Sequence, residues 1–230
     1  MKNEDTIRNY IKESNSRYKK QKKHFVTKNN IQVHIKDPLV NELDLDSVFN
    51  RVESLIPSHL FYNLDLIYIG QFDEFLEREM NAFYKNGAIY ITNEQTDEND
   101  MIDDIIHEIS HSVEEIANEE IYGDGDLELE FLGKRKRLYN SLKSENFDVS
   151  EYNFLNPDYS IDFDRFLYQQ IGYPTLLNLT MGLFLSPYSI TSIREYFATG
   201  FEEYYLKDRK YLKKICPFLF RKIEILNNLQ

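Results

Sequence analysis

A chain of 230 residues with 42% apolar side chains, 17 Tyr and 16 Phe can bury a sizeable core, in one domain of two lobes or in two small domains. Its 39 acidic and 27 basic side chains leave a formal charge of -12, which argues against nucleic acid or an anionic membrane as a natural partner. The lone cysteine, Cys216, excludes an internal disulfide framework and an all-thiolate zinc site; in "KKICPFLF" it has the neighbours of a small buried apolar residue.

The first 29 residues are polar, form a tail or a helix, and carry a local basic run, "RYKKQKKHFVTK" (17–28), which reads as solvated. They hold no apolar secretory segment, and the longest apolar-rich stretch, "TLLNLTMGLFL" (175–185), is too short to span a bilayer. The expectation is a cytoplasmic protein, unless a specialised route exports it or packages it in a particle.

From residue 30 the pattern alternates. "IQVHIK" (31–36) has strand periodicity, and "DLDSVFNRVESLI" (44–56) has helical spacing and stops at Pro57. "LDLIYIG" (64–70) reads as a strand, "DEFLEREMNAFYKNG" (73–87) as a helix ending at Gly87, and "AIYITN" (88–93) as a strand. A helix over residues 102–117 follows, giving the order βαβαβα for an α/β half spanning 30–120. Beyond it, residues 121–160 are polar and turn-rich with helical patches, and the remainder is mainly helical with no convincing strand. The fold class expected is α+β.

The helix over 102–117 carries "HEISH". At about 100° per residue, Ile102, Ile105, Ile106, Ile109, Val113 and Ile116 form one apolar stripe, and His107 and His111 point away from it, one turn apart. Two parallel imidazoles at i and i+4 can bind one tetrahedral Zn²⁺, while Glu108 sits where it can accept a proton from a water rather than ligate. Asp103 and Glu114 share the histidine face, where they can orient the imidazoles or simply be solvated. A bare match to this motif also arises on an ordinary solvated helix face.

Two histidines hold zinc weakly, so a catalytic site needs a third protein ligand. Glu128 and Glu130 in "DLELEF" are candidates. So is Glu195 in "SPYSITSIREYFATGFEEYYL" (186–206), where Ala198 offers a small surface for helix packing. Glu195 has a competing reading, because Ser192-x-x-Glu195 is a capping-box pattern. Spacing alone leaves these alternatives open.

The pairing of "HEISH" with a later Tyr188-x6-Glu195-Tyr-Phe-Ala-x-x-Phe resembles the catalytic domain of anthrax lethal factor and its relatives, including the Pro-Pro endopeptidases, over roughly residues 60–225. These are zincin metallopeptidases. The resemblance implies a two-lobed zincin fold and one Zn²⁺ held by His107, His111 and Glu195, a gluzincin-like set. It also implies Glu108 as general base, Tyr188 as hydrogen-bond donor to the tetrahedral intermediate, and "AIYIT" as the edge strand along which a protein or peptide substrate lies. The 83 residues between His111 and Glu195 (112–194) exceed the interval expected of that family, so 121–185 reads as an insertion and 186–230 as the helical segment carrying the third ligand. Alternatives are a scaffold or interaction protein on this fold and a delivered effector. Substrate preference and oligomeric state are not legible.

Overall fold

The computed structural model describes residues 23–78 and 80–229, except for the side chains of 76–78. The expected N-terminal tail falls mostly outside the described residues. Residues 24–26 of its basic run form β1 (His24–Val26), which pairs antiparallel with β2 (Gln32–Ile35). With β3 (Leu66–Ile69), β4 (Ala82–Lys85) and β5 (Ala88–Ile91) they make a five-stranded sheet in the order β1-β2-β3-β5-β4. β2, β3 and β5 run parallel; the two outer strands run antiparallel to their neighbours.

Because side chains alternate along a strand, Val33, Ile67, Ile69, Ile89 and Ile91 all reach one face, where each is at most 1% exposed. α1 (Leu45–Leu55) and α3 (Glu98–Ile116) complete this core: α1 contributes Val48, Phe49 and Val52, and α3 packs on α1, β4 and β5. The opposite face carries His24, His34, Tyr68, Tyr90 and Phe83, whose rings stack in turn across all five strands with centroids 4.6–5.5 Å apart.

Two expectations need correction. The helix expected over 73–87 stops early: α2 covers only Asp73–Arg78, and β4 follows. Asn86 and Gly87, at φ 50° and 78°, form the two-residue turn of a β4–β5 hairpin in which Lys85 faces Ala88. Asn-Gly is the strongest short hairpin signal, and its left-handed turn overrides the helical spacing before it. In consequence "AIYIT" is not an edge. β5 is paired on both sides, by β3 and β4, so the edge strand beside α3 is β4.

After β5 the described residues contain no strand, as expected. α4 (Asn118–Tyr122) leads through Gly125, at φ 75°, into α5 (Asp126–Ser144), a 19-residue helix burying Leu127, Phe131, Lys134, Arg135, Leu138 and Leu142. α6 (Ile161–Arg165) runs into a π-turn at Phe166–Ile171, and α7 (Tyr173–Leu179) follows with Pro174 in its first turn. A 3₁₀ turn (Tyr188–Ile190) then leads to α8 (Ile193–Leu206), α9 (Arg209–Ile215) and α10 (Pro217–Asn227). Cys216 is fully buried between the last two helices, as its neighbours suggested. The architecture is mixed α and β. Among the described residues no helix is long and apolar enough to cross a membrane.

α8 lies against α3 on one side and against α9 and α10 on another. The close approach to α10 is made at Gly200, where an added Cβ would lie 2.3 Å from the Leu219 side chain, itself fully buried. Gly200→Ala is therefore expected to destabilise by about 1–3 kcal/mol through overpacking, despite alanine's better helix propensity. Chemical denaturation checks this; an unchanged or raised midpoint would show that the two helices part without strain.

Candidate metal centre

α3 is started by Asp97, whose carboxylate accepts from the backbone N–H of Asn99 and Asp100. Its apolar side is the expected stripe with two changes: Met101 joins it, and Ile116 at its end is exposed. The histidine side is not a solvated face. α8 covers it, leaving the His107 and His111 side chains only 17% and 11% exposed and Glu108 buried. Amphipathic periodicity shows which side faces the sheet but carries no information that a second helix will pack on the other.

α8 brings Glu195 to the two imidazoles. One of its oxygens lies 3.0 Å from His107 Nε2, and the other lies 3.8 Å from His111 Nε2. The three side chains offer ligand atoms all within 4.8 Å of one another and could hold a metal ion. A tetrahedral ion with bonds of about 2.0–2.1 Å places its ligand atoms about 3.4 Å apart, and each imidazole Nε2 has a different Glu195 oxygen within 3.8 Å. Glu195 also resolves its two competing roles. Its backbone N–H donates to Ser192 Oγ at 3.2 Å, so Ser192 caps the helix, while the Glu195 carboxylate turns to the histidines.

The alternative ligands are elsewhere. Glu130, on α5, accepts from the Tyr196 hydroxyl and from the backbone N–H of Phe218 and Leu219, so it caps α10. Glu128 is exposed on α5 and is not part of the cluster.

Each histidine presents Nε2 to the centre and is held through Nδ1. Glu114 receives His111 Nδ1 at 3.1 Å, together with the Tyr122 hydroxyl at 2.6 Å and Arg194 Nε at 2.8 Å. Burial pushes the Glu114 carboxyl up, but the bonds from His111 and Tyr122 and the Arg194 charge outweigh it and hold the group below the usual range. Glu114 is thus an ionised buried acceptor, which is what orienting an imidazole requires. Asp103 has no such bond; Asp104 beside it accepts from Gln95 Nε2 at 2.9 Å, and burial raises its pKa to about 6.

The partner of His107 Nδ1 is Glu202, at 2.5 Å. This residue escaped the sequence reading. A signal existed: Glu202 follows Glu195 by seven positions, two helical turns, and so projects from the same side of α8.

Glu195 is also kept ionised. Burial raises it, and the His107 bond with the charges of His111, His107 and Arg194 more than reverses that. Glu108 differs. Burial pushes its carboxyl up, the two histidines offset this only in part, and among the described residues no hydrogen bond ties it down. It is a buried carboxylate beside the centre, outside the ligand cluster and free to exchange a proton. Tyr188 lies near the centre, with its ring centroid 6.3 Å from that of His107 and 39% of the residue exposed. The arrangement therefore combines three side chains that could hold a metal ion, a carboxylate beside them and a phenol. Compared with known proteins, the chain matches no family model, no curated protein and no solved structure.

Proposed function

We propose that the chain is a zinc-dependent endopeptidase of zincin-like, two-lobed architecture. The sheet and α3 form one lobe, the helices around α8 form the other, and His107, His111 and Glu195 hold one Zn²⁺ between them. The observation that carries this reading is the convergence of the three donors from α3 and α8, with both Nδ1 atoms held by carboxylates. Two imidazoles and one carboxylate suit zinc, and a donor set of three leaves a position open for chemistry. The resemblance of the two motifs to the lethal factor and Pro-Pro endopeptidase group supports the same reading.

A zinc ion in this set would supply Lewis acidity, polarising a scissile carbonyl and making a water acidic near neutral pH. Glu108, buried beside the centre but outside the donor set, takes the proton of the attacking water and passes it to the leaving amine. The Tyr188 hydroxyl donates to the oxygen on which charge develops. The outer edge of β4, unpaired by any strand among the described residues and next to α3, can align an extended protein or peptide substrate by main-chain pairing.

The test is cleavage of a proteome-derived peptide library by zinc-loaded protein, with a chelator-stripped control, read by mass spectrometry. No zinc-dependent cleavage would leave a metal-holding scaffold or interaction protein. On the best-cleaved peptide, Tyr188→Phe is expected to lower kcat roughly ten- to a thousandfold with KM and zinc content little changed, because only the transition state uses the hydroxyl. A Tyr188→Phe protein with wild-type kcat would remove this residue from the reaction.

A further inference from the structure

We infer that Arg135, on α5, is a positioning residue of the candidate centre: it holds the turn that carries Tyr188 and begins the Glu195 helix. The inference rests on the reading of the centre proposed above. It gives α5, part of the stretch that resembled an insertion, a role in the site.

Arg135 is 1% exposed and, among the described residues, has no carboxylate partner in its hydrogen bonds. Its guanidinium is spent on carbonyls instead. Nε donates to Ile190 O at 2.9 Å, one terminal nitrogen donates to Thr191 O at 3.0 Å, and the other donates to Asn156 O. Ile190 and Thr191 end the Tyr188 turn, and Ser192, the cap of α8, comes next. The carbonyls at the end of a helical turn have no partner within it, and buried as these are they must be satisfied from outside.

A second strand of the same junction runs through the backbone. Asn156 is followed by Pro157, whose carbonyl accepts from Ile193 N–H at 2.8 Å. The loop at 156–157 and the start of α8 are therefore tied directly to each other and jointly to Arg135. The cation is further enclosed by the Phe163 and Phe131 rings, 4.3 and 4.8 Å from its central carbon. Burial lowers its pKa to about 10, which leaves it charged at neutral pH.

The geometry requires arginine. Three acceptors from two chain segments, 156 and 190–191, are met at once by a rigid planar fork. A lysine ammonium, a point donor on a flexible stem, cannot reproduce the three directions. Removing the fork would free the turn while leaving α3, and so both histidines, in place. The structural consequence falls on Tyr188 and on the first turn of α8, which bears Glu195.

The experiment compares the wild-type chain with Arg135→Lys, Arg135→Met and Leu138→Ala. Leu138 is fully buried one turn further along α5, so its truncation destabilises the same helix while keeping the three Arg135 hydrogen bonds. Zinc affinity is measured by chelator competition, Co²⁺ absorption reports the geometry of the donors, and hydrogen exchange is followed over residues 186–195. Arg135→Lys should weaken zinc binding at least tenfold, alter the Co²⁺ bands and raise exchange at 188–193. Leu138→Ala should lower thermal stability while retaining wild-type affinity and bands. Wild-type affinity, bands and exchange in a folded Arg135→Lys protein would overturn the inference, as would an equal loss in Leu138→Ala.

Should neither arginine variant fold, Phe163→Leu uncovers one face of the guanidinium and is expected to raise exchange at 188–193; no rise would also overturn the inference. A wild-type chain that binds no zinc is a different outcome. It would defeat the metal reading, while hydrogen exchange would still decide whether Arg135 holds the turn.

Discussion

Glu108→Gln is expected to keep the fold and the zinc while turnover falls by a factor of ~10² or more. The substitution preserves size and removes the ability to take a proton. Glu108 is buried beside His107 and His111 but lies outside the set of atoms that could share an ion. Its carboxyl is raised chiefly by burial, and the neutral amide avoids the cost of a buried charge, so stability should hold or improve. Elemental analysis, thermal unfolding and peptide cleavage on one preparation check the result. Loss of zinc in this variant would place Glu108 among the ligands; undiminished cleavage would remove it as base.

The second large effect is on metal content. Freshly purified protein is expected to carry near-stoichiometric zinc, and His107→Ala to carry almost none, because only two donors would remain. Glu195→Gln should also weaken binding markedly, since a neutral amide oxygen replaces an anionic carboxylate donor. Glu202→Gln is expected to cost less, about 10- to 100-fold in affinity, because it disturbs the orientation of His107 rather than the donor set.

Glu130→Gln is the discriminating control. It interrupts the cap on α10 and should lower stability with zinc unchanged. If Glu130→Gln loses zinc and Glu195→Gln does not, the ligand assignment is wrong. Folded wild type without zinc would end the enzyme reading.

Local pattern carried much of the α/β part. Residues 31–36, 64–70 and 88–93 read as strands, and each contains one; 44–56 is amphipathic, stops at Pro57, and contains α1. The stretch at 73–87 misled because the charged and apolar residues before Asn86-Gly87 have acceptable helical spacing. The hairpin needs a partner strand, β5, to show why that spacing loses. The length of α5 was equally obscured: its buried positions include Lys134 and Arg135, charged residues that a periodicity argument assigns to solvent.

By itself the sequence determined the local half of the site. The i, i+4 spacing of His107 and His111 places two imidazoles on one side of a helix, and Glu108 beside them, whatever else the chain does. Tertiary structure decided the rest. Whether Glu195 only capped its own helix or faced the histidines depended on how α8 crosses α3. Glu114 became an ionised acceptor only once Tyr122 and Arg194 closed around it, and Glu202 reached His107 only through the same helix crossing. The edge of the sheet passed from β5 to β4 because strand order is a property of pairing rather than of any one strand. Each of these joins residues distant in sequence, and their energy comes from burial and satisfied hydrogen bonds across the interface, which no local period records.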